Sequence, residues 1–199
     1  MVYTTKRELC KKMIKIANWD EVWHKCRLYA ENEFDSTKNM RARRGQSNMK
    51  RIKHQTSVGK MGEFVTQEFL STLGYECTNP DCEVYTGRNK SWASDLFVNE
   101  HKIAVKTQDL DSALRFGKSW IFQKGGYGFG HVDPVIHGGK SFAVFVTLDL
   151  NEKSATVKGP FNMKDLRPHF KEPKVPSLRF SKLALYWDDI KDIETVSIK

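Results

Sequence analysis

The chain has 199 residues, which is long enough to bury one substantial hydrophobic core. Its composition, 39% hydrophobic and 29% charged, is typical of a soluble globular protein, and no apolar run approaches the roughly 20 residues that cross a bilayer. The net charge is +9, and because it is clustered on an otherwise near-neutral protein it indicates a polyanionic partner.

The N-terminus and the cysteines predict an intracellular protein. The sequence begins Met-Val-Tyr-Thr-Thr-Lys-Arg, without an apolar signal segment, so we expect a cytoplasmic protein with no membrane partner. In that compartment the four cysteines are reduced thiols. Cys77 and Cys82 are loosely spaced for zinc, and no second close pair completes a four-ligand set.

The first 56 residues are predicted to form a helical, basic extension. Leu9, Met13, Ile16 and Ala17 recur at three- and four-residue steps, which favours a helix over residues 5–33, with a joint near Asp20. A basic segment follows over residues 37–60, with eight basic residues, no acid and a predicted break at 45–48. It reads either as a phosphate-binding surface or as a solvated arm. Its basic residues are Lys38, Arg41, Arg43, Arg44, Lys50, Arg51, Lys53 and Lys60.

The remaining residues, 57–199, are predicted to form an α/β core with a mixed sheet flanked by helices. We expect a helix over 58–73, capped by Ser57 and ended by Gly74, and then a short strand within 75–84. A polar loop at 86–91 leads to two short strands joined by a polar turn, over residues 95–108. Further strands are predicted at 119–124, 141–150, 155–157 and 183–187, of which 141–150 is apolar enough to be buried on both faces.

Asp95 and Lys106 carry the chemistry that this hairpin suggests. Asp95 opens the first strand and Lys106 lies near the end of the second. Alternation along a strand puts Ala104, Lys106 and Gln108 on one face, and Ile103 and Val105 on the other, toward the core helices. A carboxylate and an amine on adjacent strands suit metal-assisted cleavage of a phosphodiester, in which one holds a divalent cation and the other steadies a water or a developing charge.

A glycine-rich segment over residues 125–131 supplies a second set of candidate contacts. Lys124, Tyr127 and His131 place basic and aromatic groups beside flexible glycines, which suits contact with phosphates and unpaired bases. No metal-binding histidine pair supports a histidine-based nuclease centred on His131 or His137.

From Gly59 to Gln108 the chain resembles the PD-(D/E)XK, or restriction-endonuclease-like, nucleases. The run Gly59-Lys-Met-Gly-Glu63-Phe-Val, ending in Leu-Gly-Tyr, is similar to the first helix of archaeal Holliday-junction resolvases. Asp95 matches the aspartate of the family motif, although serine and not proline precedes it. Lys106 matches the lysine of the motif, and Gln108 fits a common variant that has glutamine two residues after that lysine. The resemblance implies a Mg²⁺ or Mn²⁺ site at Glu63, Asp95 and the Val105 carbonyl, with Glu63, Asp95, Lys106 and Gln108 as the catalytic set.

Ala104 departs from the family pattern, because it stands where the family has an acid. Three explanations remain open. In the first, Glu63, Glu68 or Asp109 replaces the missing carboxylate. In the second, the enzyme uses a single metal ion that keeps several waters. In the third, the site is inactive and the fold serves only to bind nucleic acid. Helical geometry places Glu68 about 140° from Glu63, in the apolar stripe of its helix, so Glu63 is the first choice.

The resemblance implies a metal-dependent DNA endonuclease. The alternative is a non-catalytic nucleic-acid-binding protein built on a degenerate nuclease fold, and a third option is an RNA-directed nuclease. Cutting two strands would favour a homodimer, because two scissile bonds need two centres. A small basic chain of this kind suits a phage, a mobile element or a restriction system.

Overall fold

The computed structural model describes residues 12–43, 47–85, 95–125 and 141–198. Its longest elements are two consecutive helices of 25 and 24 residues. The elements in chain order are β1 (Lys12–Ile14), α1 (Trp19–Arg43), α2 (Met49–Thr72), β2 (Leu96–Val98), β3 (His101–Asp109), α3 (Leu110–Phe116), β4 (Ser119–Gln123), β5 (Ser141–Asp149), β6 (Ser154–Asn162), α4 (Met163–Leu166), β7 (Lys182–Tyr186) and α5 (Trp187–Ile190).

A mixed five-stranded sheet forms the centre of the molecule, with strand order β1-β6-β5-β3-β2. Only the β3–β5 pair in it is parallel. Strands β4 and β7 form a separate antiparallel pair. The predicted mixed sheet flanked by helices is therefore confirmed. Among the described residues, no helix combines the length and the apolar character needed to cross a membrane.

Two apolar clusters lie on opposite faces of the central sheet. On one face α2 contributes Val58, Met61 and Val65, which pack with Ile103 and Val105 of β3. This confirms the predicted orientation of the odd-numbered residues of β3. On the other face the β4–β7 pair covers the sheet, with the ring of Trp120 stacked on that of Phe145 at 4.3 Å.

The N-terminal prediction is wrong in part. Met13 lies in β1, opposite Thr156 of β6, and the helix begins only at Trp19 and continues to Arg43. A spacing of three and four residues occurs by chance in so short a run, and pairing with the sheet decides the outcome. The contribution expected of Leu9 lies outside the described residues.

The start of α2 also differs from the prediction. The helix begins at Met49, where the Asn48 side chain accepts a hydrogen bond from the Arg51 N–H at 3.0 Å. Ser57 lies inside the helix, and its hydroxyl donates to the Lys53 carbonyl at 2.9 Å. The predicted end is correct, because Gly74 follows with φ of 84°, a conformation suited to glycine. The expected boundary between residues 56 and 57 falls within this one helix.

The strand predictions are largely confirmed. The hairpin over 95–108 forms β2 and β3, and β4, β5 and β7 lie where the sequence places them. Strand β6 is longer than predicted, at nine residues. The predicted strand within 75–84 is wrong: the segment contributes one isolated bridge, between Cys77 and Val98. The predicted polar loop at 86–91 lies outside the described residues.

Candidate active site

Asp95 is fixed at the open edge of β3. In the β2–β3 ladder Leu96 pairs with Ile103, and one further step of the same register places Asp95 opposite Ala104. The Asp95 carboxylate accepts a hydrogen bond from the Val105 N–H at 2.7 Å. The Asp95 carboxylate therefore takes the next hydrogen-bonding position on β3 beyond the last residue pair of β2 and β3. This bond to the main chain of β3 fixes the position of the side chain.

Glu63 reaches the same region from α2. The preceding residue, Gly62, contacts β3 so closely that a Cβ built on it would lie 1.8 Å from the Thr107 hydroxyl oxygen. This contact sets the height of α2 above the strand, and with it the position of Glu63. The Glu63 side chain is only 12% exposed.

The surroundings of Glu63 disfavour its charged form. The pKa of Glu63 is raised to about 8, chiefly by burial; Lys60 opposes the rise, and the Asp95 and Asp81 carboxylates contribute to it. The charge of Asp95 contributes to the raised pKa of Glu63, so the two acids that the sequence nominates as metal ligands interact electrostatically.

Lys60 is part of this cluster, a role that the sequence analysis missed. Its ammonium donates to Glu63 Oε2 at 2.7 Å and to the Asp81 carbonyl at 2.6 Å, and lies 4.7 Å from the centre of the Tyr29 ring. Burial lowers the pKa of Lys60, but the Glu63 carboxylate outweighs burial and raises the pKa overall. Lys60 is therefore not on the exposed basic surface. The three-residue spacing from Glu63 was the available signal.

Lys106 lies on the other face of β3 from the residues that pack on α2. Its ammonium sits 4.9 Å from the centre of the Phe122 ring of β4. Because Asp95 is opposite Ala104, and Ala104 is two residues from Lys106, the lysine and the aspartate belong to the same end of the hairpin.

Gln108 has a structural contact that the sequence did not predict. Its side-chain amide donates to the Gly117 carbonyl at 3.1 Å and accepts from the Ser119 N–H at 3.1 Å. The two bonds hold the turn between α3 and β4 against the end of β3.

Glu68 and Asp109, the other two candidates to replace the missing acid, are not part of the cluster around Glu63. Glu68 is exposed, so its predicted place in the apolar stripe of the helix is wrong. Asp109 caps α3 by accepting from the Ser112 N–H at 2.6 Å, and it also pairs with His54 at 3.0 Å. Burial pushes the pKa of Asp109 upward, but the hydrogen bonds from Ser112 and His54 prevail and lower it.

The donor set for a cation is small. Within residues 12–43, 47–85, 95–125 and 141–198, no cluster of three or more histidine, cysteine, aspartate or glutamate side chains is arranged to hold a metal ion. Glu63 and Asp95 supply two carboxylates, and the main chain at Val105 adjoins them. This set suits only an ion that keeps several waters, as magnesium does.

The basic surface predicted from residues 37–60 is present in part. Lys38, Lys50 and Arg51 are exposed, whereas Lys53 is half-buried with its ammonium 5.4 Å from the Phe34 ring centre. Arg41 forms a salt bridge with Glu33 at 2.7 Å and is less available. Lys124, after β4, is exposed. The Arg43 side chain, Arg44, Tyr127 and His131 lie outside the described residues.

Comparison of the chain with protein-family models, with curated proteins and with solved structures gives no match.

Proposed function

We propose that the protein is a Mg²⁺-dependent DNA endonuclease with a restriction-endonuclease-like core. The observations that carry the proposal are the Asp95 carboxylate, held by the Val105 N–H at 2.7 Å, and the largely buried Glu63, whose pKa the charge of Asp95 helps to raise. Carboxylates are gathered in this way at sites that bind a divalent cation or transfer protons. Lys106, which the sequence nominates as the catalytic amine, lies on the strand whose Val105 N–H binds Asp95, but on the face opposite to α2 and Glu63.

A divalent cation fits the chemistry of this pair. Two carboxylates in a poorly hydrated place repel each other, and a divalent ion removes the cost of ionising both. Asp95 is held in place by the Val105 N–H, which donates to its Oδ2, and would hold the ion together with Glu63. The ion, when bound, would polarise a phosphate oxygen and lower the pKa of a water.

The protein's own groups complete the proposed reaction. Lys106 orients the attacking water or balances charge that develops on the phosphate. Lys60 holds the Glu63 side chain in place through a 2.7 Å hydrogen bond. Gln108 fixes the turn after α3 beside the strand. Exposed Lys38, Lys50 and Arg51 bind the phosphate backbone, which gives affinity without sequence preference.

The test is nicking of plasmid and single-stranded DNA with and without Mg²⁺ or Mn²⁺. We expect metal-dependent cleavage that falls by at least ~100-fold in Asp95→Asn and Lys106→Met, because each removes a group at the reacting phosphate. Glu68→Gln and Lys102→Met are the matched controls, since both residues are exposed on the same elements, α2 and β3. Cleavage that survives the Asp95 and Lys106 changes would refute the assignment. RNA competitor separates a DNA nuclease from an RNA nuclease.

One observation favours the second candidate, a non-catalytic nucleic-acid-binding protein. Ala104 is 2% exposed and pairs with Ala143 of β5, which in turn pairs with Phe161 of β6. The position of the family's second acid is thus filled by apolar packing. Salt-dependent DNA binding by wild type without cleavage in any divalent metal would favour this candidate.

A further inference from the structure

The C-terminal part of α3 exposes two large apolar side chains. Leu114 is 78% exposed and Phe116 is 50% exposed. Arg115 lies between them, with its guanidinium carbon 5.9 Å from the centre of the Phe116 ring. Lys118 follows in the turn to β4. We call residues 114–118 the α3–β4 corner.

Hydrogen bonds hold this corner against the strand that carries Lys106. The Gln108 side chain binds the Gly117 carbonyl and the Ser119 N–H, both at 3.1 Å. Gln108 is two residues beyond Lys106, so the turn after Phe116 is held at the end of the strand that carries Lys106. An aromatic ring on a fixed turn loses little conformational entropy when it meets a ligand.

The beginning of α3 is joined to α2. Asp109 caps α3, and its other carboxylate oxygen pairs with His54 of α2 at 3.0 Å. His54 is one helical turn from the exposed Lys50 and Arg51. Within the corner itself, the apolar side chains are flanked by Arg115 and Lys118.

We propose that the α3–β4 corner stacks on an unpaired base, and that the substrate is DNA in which unpaired or displaced bases adjoin a duplex. This inference rests on the proposed function and names its substrate class. The charge around the corner favours a polyanion over a second copy of this chain, whose net charge is +9. An exposed aromatic ring beside an arginine stacks on any base, because every base has a π-face.

The test measures DNA binding in EDTA, so that cleavage plays no part. Two fluorescent probes are compared, a fully paired duplex and the same duplex with a central unpaired bubble that contains 2-aminopurine. Wild type should bind the bubble about tenfold more tightly and quench the 2-aminopurine, in keeping with base–aromatic stacking. Phe116→Ala should abolish both the preference and the quenching while keeping the affinity for the duplex. Phe180→Ala is the control, because Phe180 is 73% exposed on another part of the chain.

Equal affinity of wild type for the two probes, or a preference that persists in Phe116→Ala, would overturn the inference. A dimer that Phe116→Ala converts to monomer in sedimentation velocity would also overturn it, by showing that a second copy covers the corner. Failure of the proposed function would give a different result: wild type would bind the bubble more tightly than the duplex in EDTA but would cleave neither probe in Mg²⁺.

Discussion

Replacing Gly62 by alanine tests whether close packing of α2 on β3 builds the site. The added Cβ would lie 1.8 Å from the Thr107 hydroxyl oxygen, 2.8 Å from its Cβ and 2.9 Å from its second γ carbon. Carbon atoms pack at about 3.5–4.0 Å, so rotating the Thr107 side chain cannot clear the contact, and the helix must retreat by roughly 1 Å.

The expected loss of stability follows from two opposing effects. Overpacking of this kind costs up to ~3 kcal/mol, and the better helix propensity of alanine returns ~1 kcal/mol. We therefore expect Gly62→Ala to lower the free energy of unfolding by ~2 kcal/mol, or Tm by ~4–8 °C in a chain of this length. Retreat of the helix also draws Glu63 away from Asp95, so metal-dependent cleavage should fall as well.

The assay is urea unfolding followed by circular dichroism, with Gly59→Ala as the matched control. Gly59 lies on the same helix, and a Cβ there meets nothing within 4 Å, so alanine should stabilise by ~0.5–1 kcal/mol. In a Thr107→Ala background the Gly62→Ala cost should shrink by ~1 kcal/mol, because two of the three close contacts are gone. Stability of Gly62→Ala equal to or above that of wild type would refute the reasoning.

Three further predictions concern the charge and the caps. In EDTA, stability should fall as pH rises from about 4.5 to about 8, because the folded protein holds the Glu63 proton more tightly than the unfolded chain does. The slope should approach ~1.4 kcal/mol per pH unit in the middle of that window, and Glu63→Gln should flatten it in denaturation curves taken across pH. Asn48→Ala should lower the free energy of unfolding in urea by ~1 kcal/mol, because it removes the cap of α2, whereas Ser57→Ala should change it by no more than ~0.5 kcal/mol. A larger loss in Ser57→Ala than in Asn48→Ala would show that Ser57 is the cap. Lys50→Gln should lower the slope of log K against log salt for DNA by about 1, while Lys191→Gln, exposed at the end of α5, leaves the slope unchanged.

Sequence reasoning located the hairpin because its signal is local. Alternation of side chains from Ile103 to Gln108, bounded by a polar turn, predicts both the strand and its buried face. Strand β5 was predicted for a similar reason, since seven consecutive buried positions require an apolar run.

The predictions were wrong at β1 and at the start of α2, where the sequence patterns used did not determine the structure. Strand β1 takes its conformation from pairing with β6, some 140 residues later in the chain, which no local pattern records. Helix α2 begins eight residues before Ser57 because Asn48 supplies the cap and the intervening basic residues tolerate a helix.

The candidate site was predicted only in part. Glu63 and Asp95 were nominated by resemblance, and Asp95 contributes to the raised pKa of Glu63. Lys60 was assigned to the phosphate-binding surface because a lysine in a basic run is usually exposed. The buried Lys60 ammonium donates to the Asp81 carbonyl, in the segment after α2. The sequence does not predict that this segment returns to Lys60.

Titration of the protein with Mn²⁺ by calorimetry tests the central claim most directly, namely that Glu63 and Asp95 together hold a divalent cation. The account predicts binding of one ion by wild type and by Glu68→Gln, with binding lost or at least ~10-fold weaker in both Glu63→Gln and Asp95→Asn. Mn²⁺ binding that is absent from wild type, or unchanged in both of those variants, would contradict it.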